Sequence, residues 1–304
     1  MRRIILLCLL VVSCGGSPAP TQPTPIPTPV PTLPTWELTG SVVSEDRSVS
    51  GARLLPWGVT TGPDGVFQVQ GEGTRRAERV TVEADGYVPR KTTISATTAN
   101  PRIDLRSQAH EDAFQQLVRN GWEAPGALEP LRRWTVAPRF YLDVSARPRV
   151  ILDADLQRIE DVIHATMPMW TGGQLAATSI VRGTTPPSDR GWIVVRLVEE
   201  EGFCGLAQVA QDPGWIQFNT NCACGSVRLS PHTIAHELGH AMGFYHSADP
   251  SHVMHPHTYH CRSVEVSPLE RAVAAAAYAR PVGNRHPDID PIGTAFLRPV
   301  RLVD

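Results

Sequence analysis

Lysine is nearly absent from this 304-residue chain: of 28 basic residues only Lys91 is lysine, and the rest are arginine. Codon bias in a GC-rich genome produces that skew, so the arginine content by itself marks no binding surface. Net charge is small as well. A formal charge of −2, with no run of Lys/Arg, lacks the electrostatic footprint of a nucleic-acid-binding protein, and no nucleic-acid partner is expected. Long apolar runs are missing at the N-terminus, where Ile4–Val12 covers nine residues broken only by Cys8. A bilayer span needs about 20 residues, so this run reads as the h-region of a signal peptide, with Arg2 and Arg3 as its positive flank. Cysteine is sparse, at 6 residues, whereas 28 prolines and 24 glycines show that part of the chain lies outside any packed core.

The run closes with Val11-Val12-Ser13-Cys14-Gly15, which resembles the lipobox of bacterial lipoproteins. The resemblance implies cleavage after residue 13 and acylation of Cys14, leaving an exported protein tethered to a membrane that it does not span. Gly15 favours the outer membrane or cell surface. An ordinary signal peptide with an incidental cysteine is the other reading. Residues 14–35 then comprise the lipid anchor and a Pro/Thr-rich linker, since SPAPTQPTPIPTPVPTLPT blocks both helix and sheet ladders and favours an extended stalk. With Cys8 and Cys14 set aside, Cys204, Cys222, Cys224 and Cys261 remain, and in an exported chain they read as disulfides. One residue separates Cys222 from Cys224, so pairing them with each other would be strained. Cys204 is expected to pair with one and Cys261 with the other, in either order; a Cys-rich zinc site is the alternative.

Residues 36–106 change texture. TGSVV, GVFQVQ and VTVEA alternate like strands, with Gly62–Gly65 and Asp85-Gly86 as turns. Gly40–Val43, Gly51-Ala52, Thr61 with Asp64–Phe67, and Gly86–Pro89 together resemble the carboxypeptidase regulatory-like domain. That implies a small all-β, transthyretin-like sandwich acting as a spacer or docking module. From 107 to 284 the pattern is mixed. Helical spacing is predicted over Gln108–Asn120 and Asp153–Trp170, and strands over Arg139–Val144, Trp192–Leu197 and Gly214–Phe218. The predicted fold class is therefore α+β, with an N-terminal all-β domain. Residues 285–304 are left as a C-terminal tail without an assigned role.

The chemistry concentrates in HELGHAMGFYHSADPSHVMH, which begins at His236. Ser230-Pro231 opens a predicted helix and Gly243 closes it. Ile234, Leu238, Ala241 and Met242 form an apolar stripe, and His236 and His240 lie together on roughly the opposite side. A sharp turn at Gly243 lets His246 return to the same point. Three neutral imidazoles suit a tetrahedral zinc with its fourth position open, and Glu237 is placed as general base. The spacing His236-Glu237-x-x-His240-x-x-Gly243-x-x-His246 is the metzincin signature, and the chain resembles that family, its matrixin branch in particular. The resemblance implies a zinc endopeptidase with one catalytic Zn2+. It makes Met254 the structural methionine turn beneath the metal, and Pro268–Arg280 the helix that follows, opened by the Ser267–Glu270 capping box. Upstream, the segment from Leu131 falls at a first strand and the segment from Gly202 at an edge strand. A protein or peptide substrate would lie antiparallel to Gly205–Val209. A monomer is expected.

The chain also departs from the family. No histidine lies between His164 and His232, so the matrixins' structural zinc site is missing. No cysteine-switch segment is present, and Pro256 stands where some metzincins place a tyrosine, with Tyr259 out of register. His252, His255, His257 and His260 are expected to be solvated or hydrogen-bonded in a loop tied by Cys261, with a second metal as the alternative. His232 could reach the site's face, but the signature does not need it. The rival function is a surface-displayed binding protein built on a catalytically silent zinc-protease scaffold.

Overall fold

The computed structural model of the chain describes residues 33–224, 227–256, 264–295 and 297–303. The alternation read near the N-terminus becomes two small sheets. In the first, β1 (Thr35–Ser44) is central. The residues that follow supply β2 (Arg53–Leu55), β3 (Val66–Glu72), β4 (Glu78–Glu83), β5 (Arg90–Ile94) and β6 (Arg102–Asp104). β1 pairs antiparallel with β3, in the register Leu38↔Val69 and Gly40↔Phe67, and parallel with β6. β2, β4 and β5 form the second sheet. Because side chains alternate along a strand, each sheet presents one apolar face. Leu38, Val42, Leu54, Phe67, Val80, Val82, Ile94 and Ile103 share a single core.

Further along, β7 (Arg139–Asp143), β8 (Ile180–Gly183), β9 (Trp192–Val198), β10 (Gly205–Gln208), β11 (Gly214–Asn219) and β12 (Arg301–Val303) form one sheet of order β8-β7-β9-β11-β10-β12. The first four strands in that order are parallel, and β10 runs antiparallel to β11. A parallel sheet must be covered, which is why β9 reads as the nearly unbroken apolar run WIVVRLV. Four helices accompany the sheet: α1 (Glu111–Arg119), α2 (Asp153–Trp170), α3 (Pro231–Met242) and α4 (Pro268–Tyr278). They share with the sheet a core that includes Phe114, Phe140, Ile159, Trp170, Val195, Phe218 and Leu238. No helix among the described residues is long and apolar enough to cross a membrane.

Several expectations are amended. α1 starts only at Glu111, after a 3-10 turn over Gln108–His110, and Asn120 in the left-handed conformation ends it before Gly121. α2 spans Asp153–Trp170 as read, with Pro168 inside its last turn, where the missing N–H removes one bond of the ladder. Every residue of α3 from His232 to Met242 is buried, its histidine side included. β10 is not an edge strand, since β12 pairs antiparallel with its outer side.

Asp288 and Asp290, in the stretch left without a role, are tied into the fold. Arg280, fully buried, forks onto Asp288 through Nε (2.9 Å) and Nη2 (2.7 Å) and reaches Asp104 through Nη1 (3.0 Å). Arg90 bonds Asp290 at 3.0 Å, and Asn284 Nδ2 donates to both Asp288 (2.8 Å) and Asp290 (2.7 Å). Backbone bonds Lys91 N→Asp288 O and Asp290 N→Lys91 O, each 2.9 Å, join this segment to β5. Arg106, Arg119 and Arg280 all face the ring of Phe114, with guanidinium carbons 4.1, 5.4 and 5.8 Å from its centroid. Burial lowers Arg106 to about 9 and Arg119 to about 10. Burial works to raise Asp288, but the Arg280 guanidinium beside it wins and holds the carboxyl below its ordinary 3.8. Asp104 is raised, because burial outweighs Arg280 there.

The signs of these shifts give a pH prediction. A depressed carboxylate stabilises above its unfolded value and loses that contribution as pH falls through the folded value. Asp288→Asn should therefore destabilise the chain at pH 7 by about 3–5 kcal/mol, the cost of removing one partner from a buried ion pair. It should also flatten the loss of stability below pH 3.8. Asp104→Asn should cost less, since burial already favours its neutral form. Denaturant midpoints at pH 7 and pH 3 test both; equal costs for the two variants would contradict this account.

Candidate metal centre

Local chemistry fixes both ends of α3. Ser230 accepts from the Thr233 amide at 3.1 Å and Pro231 occupies the first turn, where its missing N–H costs nothing. At the other end Gly243 has φ +117°, and a Cβ there would strike the Arg132 carbonyl oxygen. The amides of Gly243 and Phe244 close on the carbonyls of His240 (2.9 Å) and Gly239 (3.0 Å). The chain reverses within three residues, and His246 comes back over the helix.

The result is a cluster in which one ring nitrogen from each of His236, His240 and His246 lies within 4.8 Å of the others, all three side chains being buried. His236 Nε2 and His240 Nε2 are 3.0 Å apart. The opposite nitrogens are all engaged. His236 Nδ1 donates to Val253 O (2.6 Å), His240 Nδ1 to Phe244 O (2.8 Å) and His246 Nδ1 to Glu123 Oε1 (2.5 Å). Carbonyl and carboxylate oxygens only accept, so each Nδ1 carries the proton and each Nε2 lone pair faces the cluster. Neutral imidazole nitrogens converging in this way fit zinc, and three of them leave the fourth position of a tetrahedral ion to water or substrate.

Glu237 is fully buried on the same helix, with its carboxylate against Gly205 at the start of β10. A Cβ at 205 would overlap Oε1, so glycine is the residue that lets the strand pass so close. Beneath the cluster, Met254 Sδ lies against Gly239, and Met254 N donates to Glu270 Oε1 at 3.1 Å. The other Glu270 oxygen accepts from Ser267 N at 2.9 Å, so the capping box of α4 also anchors the methionine turn.

The remaining candidates divide. Cys204 and Cys222 form a disulfide, one of the two pairings left open, which ties the entry of β10 to the exit of β11. The backbone of Cys224 lies in a two-residue strand, Ala223–Cys224. Cys14, Cys261, His257 and His260 lie outside the described residues, and so do the signal segment, lipidation site and most of the linker. His252 is buried on Ser247 Oγ (2.7 Å), an ordinary hydrogen-bonded imidazole. His232 stacks beside His236 with ring centroids 6.5 Å apart and is not in the three-nitrogen cluster. Glu123 and Trp122, whose ring stands edge-on to His246 at 6.2 Å, carry no periodic or motif signal. They belong to an irregular loop 123 residues upstream of His246, and only the fold brings them there.

Residues 197–276 match the Matrixin family of peptidases (Peptidase M10). The matched segment runs from β9 through the histidine cluster and the methionine turn into α4. No curated protein matches the chain. The family match and the three-histidine cluster together support a metzincin-like domain of mixed helix and sheet, and they suggest a zinc metalloprotease.

If Glu123 orients His246 towards a metal, Glu123→Ala should weaken zinc binding about 10–100-fold. Competition against a chromogenic chelator measures this directly, and an unchanged affinity would remove Glu123 from the site.

Proposed function

We propose that the chain is a zinc-dependent endopeptidase, exported and held at a bacterial membrane or cell surface through a lipid on Cys14. His236, His240 and His246 are its metal ligands, Glu237 its general base and Met254 its structural floor. The observation that carries the proposal is the convergence of one ring nitrogen from each of His236, His240 and His246, with the buried Glu237 on the helix that bears the first two. When bound, zinc would supply a Lewis acid that brings the pKa of a water towards about 7 and polarises a carbonyl.

The chain's own residues do the rest. A peptide adds as a strand antiparallel to β10 in the place that β12 occupies, with main-chain hydrogen bonds supplying register. This places its scissile bond near Gly205, where Glu237 lies. The Glu237 carboxylate accepts a proton from the attacking water and then delivers it to the departing amine nitrogen. The Val253 and Phe244 carbonyls and the Glu123 carboxylate keep the three rings from turning. The two-sheet segment, residues 36–106, serves as a spacer above the Pro/Thr linker. A silent scaffold would need the ligands but has no use for Glu237, and its presence favours the enzyme over the binding-protein reading.

Glu237→Gln should retain one zinc per chain while casein or peptide hydrolysis falls by at least about 10²-fold. Metal analysis and a chelator-controlled assay on the same sample decide the matter. Hydrolysis by the variant at the unmodified rate would sink the mechanism, and zinc binding without cleavage of any peptide by the unmodified chain would favour the binding protein.

A further inference from the structure

The outer side of β10 is already filled by the chain itself. β12 pairs with it antiparallel, in the register Gln208↔Arg301, Ala207↔Leu302 and Leu206↔Val303, and Val209 N donates to Val300 O at 3.0 Å. The segment runs from Val209 towards Gly205, and so towards the Glu237 carboxylate. Leu302 is 9% exposed and packs in a small cluster with Val209 and Tyr245, with Val300 beside it. Tyr245 is the residue before His246, and its hydroxyl accepts from Arg132 Nε at 3.1 Å, which holds the ring in place. The strand is tied on lightly: residues 291–300, where described, form no helix or strand, Ile292 is 89% exposed and Arg301 is exposed. A three-residue strand on such a lead has little burial to resist local opening.

We propose that residues 300–303 are an autoinhibitory strand seated in the peptide's own binding position, and that the Val209–Tyr245 pocket filled by Leu302 receives an aliphatic side chain of the substrate. This rests on the assignment of β10 as the peptide-binding strand. An incoming peptide makes the same main-chain bonds to Leu206–Val209 that β12 now makes, so the two exclude each other. Apparent affinity for a peptide is then divided by the fraction of chains with the strand undocked. Peptides with leucine or a similar residue at the position matching Leu302 are the substrate class.

The test uses the full zinc-loaded chain carrying Glu237→Gln, so that peptides bind without being cut, and a fluorescein-labelled peptide RPVRLV read by anisotropy. Adding Leu302→Asp should tighten binding of this probe at least about tenfold, as expected if the docked strand is present about nine-tenths of the time. A second form, ending at Gly293, should behave in the same way and guards against a folding defect of the aspartate variant. With Glu237 restored, both changes should raise kcat/KM for a leucine-containing peptide by a similar factor. Equal probe binding by the three forms, all folded and zinc-loaded, would overturn the inference and leave the protease reading untouched. Tighter probe binding with no hydrolysis by any form would instead uphold the strand and contradict the protease. Loss of tightening when the probe's leucine is replaced by aspartate completes the pocket assignment; unchanged binding of that probe would overturn it.

Discussion

Three imidazole nitrogens within 4.8 Å of one another are a demand that no single helix can meet. Two residues four apart on α3 give two of them, and the third requires the chain to reverse at Gly243 against the Arg132 carbonyl. Everything around α3 serves that geometry. Trp170 Nε1 donates to Ala235 O (3.0 Å), Trp134 Nε1 to Ala241 O (2.9 Å) and the Tyr278 hydroxyl to Met242 O (2.9 Å). Two of these satisfy carbonyls that a helix end leaves open. The helix is thereby fixed along its length by aromatic donors from three separate segments, and its histidines sit in a buried frame.

That frame also explains which parts were legible in the sequence. The α3 boundaries, the histidine spacing and the Ser267–Glu270 capping box are set by residues a few positions apart, so pattern alone reveals them, whereas Met254 stands out only through the family resemblance. Three of the four parallel strands were legible as short apolar runs, β9 above all; β8, four residues with none buried, was not. Glu123 was not, because an irregular loop has no period and its partner is 123 residues away. That both sides of α3 are buried was not legible, since an amphipathic pattern cannot tell solvent from a polar cluster enclosed by protein.

Residues 285–303 were the least legible and have two structural roles. Their first part supplies Asp288 and Asp290 to a buried arginine network that also takes in Arg90 and Asp104 from the two-sheet segment. Their last part lies along β10. Single aspartates and a three-residue strand carry no sequence signature; their meaning comes from the arginines and the strand edge they meet. Cysteine arithmetic reached a similar limit, narrowing Cys204 to two partners while the fold selects Cys222.

The central claim is that His236, His240 and His246 form the metal site through their Nε2 atoms. X-ray absorption at the zinc edge, on the purified chain with one equivalent of zinc, examines it most directly. The account predicts three nitrogen scatterers and one oxygen at about 2.0–2.1 Å, with the outer-shell signature of imidazole rings. A shell at about 2.3 Å, marking cysteine sulfur, or fewer than three imidazoles, would contradict it.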